Sequence, residues 1–205
     1  MRIAIIGSGN IGGTLTRRLA PLGHDVTVAN SRGPESLADL AHETGAKAAT
    51  VAEAVAGAEL VVLAVPLRAV PELDADFSGT VVVDANNYYP GRDGRIAEIE
   101  DGTPSSRWVA DTLGGAVVVK AFNTMNWRRL LGDGRPVGDP ERLAIPVAGD
   151  DEAAKETVSE LVDALGFDPV DAGSLADSRR QEPGTPVYGA DLRADAAREA
   201  LAAAG

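Results

Sequence analysis

An α/β fold with a doubly wound, mostly parallel sheet is predicted from three observations. Short apolar, β-branched runs alternate with helix-like stretches along most of the 205 residues. Runs such as Arg2–Ile6 and Glu59–Pro66 are apolar almost throughout, as strands covered on both faces require. A glycine-rich turn, Gly7-Ser8-Gly9-Asn10-Ile11-Gly12, joins the first strand to the first helix.

Each element has its own warrant. Arg2–Ile6 is the first strand and Thr14–Leu22 the first helix, and Asp25–Ala29 closes the βαβ unit. Pro34–Thr44 reads as a helix, with Pro34 suited to a first turn and Gly45 to a stop. Ala46–Ala49 is a short strand. Thr50-Val51-Ala52-Glu53 is a capping box that opens a helix to Ala56, ended by Gly57. Glu59–Pro66 follows as strand, Arg68–Leu73 as short helix, and Thr80–Asn86 and Ala116–Phe122 as the fifth and sixth strands. Such alternation predicts the strand order 3-2-1-4-5-6.

Beyond Thr124 the pattern is less regular. Trp127–Leu131 is a helical turn, Gly132–Pro140 a loop and Leu143–Ala148 a seventh strand. Asp151–Leu165 is an amphipathic helix with Val158, Leu161, Val162 and Leu165 on one face, and Phe167–Val170 is a last strand. Residues 174–190 read as a loop and Ala190–Ala204 as an alanine-rich helix. The expected organisation is a Rossmann-type nucleotide-binding domain over residues 1–175. Residues 176–205 form a short C-terminal extension rather than a second domain.

Composition narrows the chemistry. With no cysteine, the chain has no disulfide, thiolate nucleophile or Cys-based metal site. A formal charge of −12 argues against nucleic-acid and anionic-membrane partners. Residues 1–6 already read as strand, and no apolar stretch approaches the ~20 residues that span a bilayer, so a cytoplasmic protein is expected.

The glycines specify a ligand. Gly7 permits the sharp turn, Gly9 lets backbone approach a pyrophosphate, and Gly12 lets helix pack on strand. An opening helix presents free N–H groups and a partial positive charge to the diphosphate. At the end of the second strand an NAD site usually carries a carboxylate for the ribose hydroxyls. Here Asn30-Ser31-Arg32 stands instead, and a guanidinium beside a hydroxyl suits a 2′-phosphate. NADP is therefore the expected cofactor; the alternative is an exposed polar turn.

Ligands in open α/β sheets sit beyond the carboxyl ends of the strands. Those ends carry Val65-Pro66, Asn86-Asn87-Tyr88-Tyr89 and Asn123-Thr124-Met125, with Arg32 as their one basic group and no histidine. His24 precedes the second strand at the wrong end of the sheet, and His42 lies on a later helix. No metal-ligand pattern appears. A dinucleotide site without an acid/base pair fits direct hydride exchange between two bound cofactors. Asp84 and Lys120, charged within apolar neighbouring strands, are expected to pair; the alternative makes Lys120 a proton donor.

These residues resemble the deazaflavin-dependent NADP oxidoreductases, in which coenzyme F420 exchanges hydride with NADP. The glycine motif, Asn30-Ser31-Arg32, Val147–Asp151 and Asp171–Arg179 carry that resemblance. Asp84–Asn87 and Lys120–Thr124 resemble the NADPH domain of transmembrane ferric reductases, where flavin is the acceptor. The resemblance implies pyrophosphate contacts from Ser8, Gly9, Asn10 and Ile11, and 2′-phosphate contacts from Ser31 and Arg32. Val65 and Pro66 would flank the nicotinamide. Asn123, Thr124 and Met125, with Asn86, would line the hydride-transfer slot. F420 or a flavin would be the second cofactor, and the chain a homodimer. Two departures stand out: Ser36 replaces a family lysine, and Arg180–Tyr188 replaces an apolar C-terminal helix. Reduction of a small carbonyl or imine, and a non-catalytic NADP sensor, are the competing functions.

Overall fold

The computed structural model describes residues 1–204. Eight strands, β1 (Arg2–Ile6), β2 (Asp25–Ala29), β3 (Lys47–Ala48), β4 (Leu60–Leu63), β5 (Val81–Asp84), β6 (Val117–Lys120), β7 (Ala144–Gly149) and β8 (Asp168–Asp171), form one sheet. Its order is β3-β2-β1-β4-β5-β6-β7-β8, which contains the expected 3-2-1-4-5-6. The first six strands run parallel, whereas β7 lies antiparallel to β6 and β8 parallel to β7. Helices α1 (Asn10–Leu19), α2 (Ala38–Thr44), α3 (Val51–Val55), α4 (Pro90–Asp93), α5 (Ala97–Glu100), α6 (Ser105–Leu113), α7 (Trp127–Gly132), α8 (Glu152–Ala164) and α9 (Ala194–Ala203) complete the chain with several 3-10 turns.

Alternation along each strand divides the interior into two cores, one on each side of the sheet. Ile3 and Ile5 pack with Leu15, Leu19 and Val158; Ala4 and Ile6 face the other way, toward Val55, Phe77 and Val109. A third, smaller cluster joins β7 and β8 to the C-terminal segment through Ala148, Val170, Val187, Ala197 and Leu201.

Several boundaries differ from the sequence expectation. α1 starts at Asn10, four residues before Thr14, and runs through Gly12 and Gly13 despite their poor helix propensity. Close packing overrides propensity there, since a Cβ on Gly12 would lie 1.8 Å from the Gly7 carbonyl oxygen. The helix ends at Leu19, and Ala20–Leu22 tightens into a 3-10 turn around Pro21. The last helix begins at Ala194 rather than Ala190. Three helices, α4 to α6, occupy Pro90–Leu113, a stretch for which the sequence pattern names no element. The segment read as a 174–190 loop contains a 3-10 helix, Ala176–Gln181. Thr50 and Glu53 make the reciprocal capping-box bonds.

Candidate functional site

Two adjoining clefts open along the carboxyl edge of the sheet. The larger, about 800 Å3, follows the glycine turn, Asn30–Arg32, the start of α3 and Ala64–Pro66. Gly7 has φ +108°, and a Cβ there would come within 2.2 Å of the Ala64 carbonyl oxygen. A Cβ on Gly9 would meet nothing within 4 Å. Gly9 is the N-cap of α1 but supplies no capping side chain, and the first turn carries no acidic residue. The opening N–H groups of α1 thus keep their hydrogen-bonding capacity for an anion.

Asn30 braces the neighbouring turn. Its Nδ2 donates to Ser8 Oγ at 3.0 Å, and its Oδ1 accepts from the Arg32 N–H at 2.8 Å and from Ser36 Oγ at 3.1 Å. Ser36 thereby ties the turn together. Ser31 and Arg32 are exposed, and the Arg32 guanidinium has no ion-pair partner among the described residues. The carboxylates that line this cleft, Glu72 and Asp74, follow β4; none follows β2. The open space at Gly9, an uncapped helix and an Arg32 guanidinium without an ion-pair partner among the described residues fit the diphosphate and 2′-phosphate of NADP.

The second cleft, about 440 Å3, shares Gly9, Ala64, Val65 and Pro66 with the first. Asn86, Asn123 and Met125, expected at the hydride-transfer slot, line it, and so do Asn10 and Ile11, which the sequence reading placed at the pyrophosphate and which do not line the larger cleft. Asn86 Oδ1 accepts from the Val65 N–H at 2.8 Å, while its buried Nδ2 has no partner among the described residues. Asn123 and Asn87 bond reciprocally: Asn123 Nδ2 donates to Asn87 Oδ1, and Asn87 Nδ2 to the Asn123 carbonyl, each at 3.0 Å. Phe122, buried and at φ +63°, turns the chain so that Asn123 can reach them. Thr124 does not line the cleft. It borders a small void beside Val187 and Leu192, and its carbonyl accepts from the Gly189 N–H at 2.9 Å.

Lining or supporting residues that escaped the sequence reading include Arg92, Asn126, Trp127, Gln181 and Tyr188. Arg92 corrects the statement that Arg32 is the one basic group at the strand ends. Pro90 at the first position of α4 folds the chain back and brings Arg92 over the Tyr89 ring, 5.0 Å from its centroid. A proline directly after a strand-end aromatic was the available signal. Arg92 Nε and Nη2 clamp the buried Asp93 carboxylate at 3.0 and 2.9 Å. Burial alone would raise the Asp93 carboxyl, but bonds from Arg92 and the Tyr89 N–H outweigh it and hold it below its ordinary range. Gln181 Nε2 reaches Asn123 Oδ1 at 3.0 Å, and Tyr188 hydrogen-bonds Tyr89 through their hydroxyls. Burial and that bond push the Tyr188 hydroxyl up to about 12. Tyr88 turns away, its hydroxyl accepting from the Ile96 N–H at 3.1 Å.

Neither cleft is lined by histidine. His24 lies 3.4 Å from the chain's N-terminal nitrogen, at the opposite edge, where burial lowers its pKa. Among the described residues no group of His, Cys, Asp and Glu could hold a metal. Asp84 and Lys120 face each other in the β5–β6 register and pair at 3.1 Å, both side chains fully buried. The pair is saturated with further bonds: Ser106 Oγ donates to Asp84 Oδ2 at 2.6 Å, the Asn86 N–H to Asp84 Oδ1 at 3.0 Å, and Lys120 Nζ to the Asn86 carbonyl at 2.5 Å. It holds the Asn86 backbone, and through Asn86 the cleft wall.

Known proteins share this architecture. Residues 2–88 match the family described as NADP oxidoreductase, coenzyme F420-dependent. Metalloreductase STEAP3 of Rattus norvegicus is 32% identical over 88% of this chain, although the chain spans only 36% of the rat protein. A crystal structure of a candidate F420-dependent NADP reductase from Arthrobacter sp. FB24 has 30% identity and a TM-score of 0.72, with 87% of each chain covered. The F420-dependent NADP reductase of Methanothermobacter marburgensis is 31% identical, covering 91% of this chain and 90% of that one. With that identity sustained over nearly the whole of both sequences, the chain belongs to the coenzyme F420-dependent NADP oxidoreductase family.

Proposed function

We propose that the chain is an NADP-dependent oxidoreductase that passes hydride directly between NADP(H) and a deazaflavin or flavin. The observation that carries this reading is the second cleft. It continues from the nucleotide cleft through Val65 and Pro66, and amides, apolar groups and tyrosines line it without histidine or carboxylate. Bound side by side, the two cofactors supply the hydride donor and acceptor. The protein supplies orientation and exclusion of water. Gly9 and the opening of α1 hold the diphosphate, Ser31 and Arg32 the 2′-phosphate, and Val65 with Pro66 one face of the nicotinamide. Asn86 Nδ2, buried and unpartnered, is free to donate to a carbonyl of either ring. Asn123 and Met125 close the slot.

Small-carbonyl or imine reduction remains a second reading because the Tyr89–Tyr188 hydroxyl pair offers a proton at the cleft. Spectrophotometric NADPH oxidation against F420, FMN, riboflavin and a panel of carbonyls and imines separates the two. Turnover with a deazaflavin or flavin is expected. Turnover confined to carbonyls or imines would overturn the proposal.

A further inference from the structure

Among the described residues Arg92 is the only charged side chain lining the second cleft, in a chain of net charge −12. It is also held in place. Nε and Nη2 are spent on Asp93, Nη2 reaches the Asn87 carbonyl at 2.6 Å, and the guanidinium lies over the Tyr89 ring. Nη1 has no partner among these contacts, and the side chain keeps 40% of its surface exposed. Beside it, Tyr89 and Tyr188 carry two hydroxyl protons, of which their mutual bond uses one. The other O–H remains available at the cleft, whichever of the two hydroxyls donates. A guanidinium fixed before ligand arrives loses little entropy on binding, and its free N–H groups beside a free O–H suit an oxyanion.

We infer that Arg92 and Tyr188, with Tyr89 donating to the Tyr188 oxygen so that the Tyr188 O–H is the free one, form the subsite for a phosphate group on the side chain of the hydride acceptor. The inference rests on the hydride-transfer reading above but concerns recognition, so affinity tests it separately from turnover.

The experiment measures binding to the NADP+-loaded protein by ligand fluorescence. Its two pairs differ only in the phosphate: FMN with riboflavin, and a phosphorylated deazaflavin with its dephosphorylated form. The phosphorylated member is expected to bind at least about tenfold more tightly in one pair or both, the scale of one charge-assisted contact. Arg92→Gln should abolish that preference while leaving NADPH affinity within about twofold. Tyr188→Phe should reduce it by about threefold, the scale of a single neutral hydrogen bond. Equal affinities within both pairs, no binding of any of the four, or a preference that survives Arg92→Gln overturns the inference. Should Arg92→Gln fail to fold, as judged by lost NADPH binding, an unchanged preference in Tyr188→Phe overturns it instead. A phosphate preference without NADPH oxidation leaves this inference standing and removes the proposed function; oxidation without the preference does the reverse.

Discussion

Arg32 leaves the turn after β2 with its guanidinium unpaired, on a backbone that Asn30 and Ser36 hold in place. If it engages the 2′-phosphate, Arg32→Asp should weaken NADPH by at least about tenfold, as expected for loss of a charge-assisted contact. NADH affinity should stay level or improve, because a carboxylate can accept from the ribose hydroxyls. Titration of both nucleotides checks this, and equal wild-type affinities would remove the basis for NADP selectivity. Lys120 poses the opposite case. Its partner Asp84 is fully buried, so Lys120→Met strands a carboxylate at a cost of about 3–5 kcal/mol, or roughly 10 °C in Tm for a chain this long. A variant that kept its Tm yet lost turnover by orders of magnitude would make Lys120 a proton donor. Arg32, Asn123 and Lys120 were legible because each lies at or near the end of an apolar run. Arg92, Gln181 and Tyr188 were not, because irregular chain carries them to the cleft from elements with no periodic pattern. Thr124 shares its neighbours' position in the sequence, but its side chain falls on the opposite side of the turn, toward Val187.

The first βα turn assigns its glycines different work, and substitutions should separate them. Gly9 is an N-cap that faces open space, so Gly9→Asp can cap α1 and keep or raise Tm. The same carboxylate occupies the diphosphate cradle with the wrong charge, so NADPH affinity should fall by at least about tenfold. Gly12→Ala drives a methyl group into the Gly7 carbonyl, and backbone must shift; Tm should fall by the equivalent of ~1–3 kcal/mol. Thermal melts paired with nucleotide titration test both, and a Gly9→Asp protein that binds NADPH normally would place the diphosphate elsewhere. Elements with a chemical signature were read correctly: the capping box at Thr50 and the stop at Gly45. α4 and α5 carry four residues each, too few to display a helical period.

For the molecule as a whole, the order 3-2-1-4-5-6 was legible because strand–helix alternation and right-handed crossovers leave few alternatives. The reversal at β7 was not, since residues 121–143 are long enough for a crossover and hold only the six-residue α7 rather than a helix that could cover the sheet. That sheet gathers the glycine turn, Arg32, Pro66, Asn86 and Asn123 along one edge, so a dinucleotide laid across it ends beside the second cleft. If, as proposed, the two clefts bring two flat rings together, no lining histidine is there to shuttle a proton, and transfer should be direct. A deazaflavin receives hydride at carbon, where it does not exchange with water, whereas a flavin nitrogen would lose the label. With NADPH deuterated at the transferring position, the reduced deazaflavin should therefore retain one deuterium, and only one of the two C4 epimers should deliver it. Mass spectrometry of the product in ordinary water reads the result. Label washed out to solvent, or delivered equally from both epimers, would mean that the rings do not meet face to face at Val65, Pro66 and Asn123.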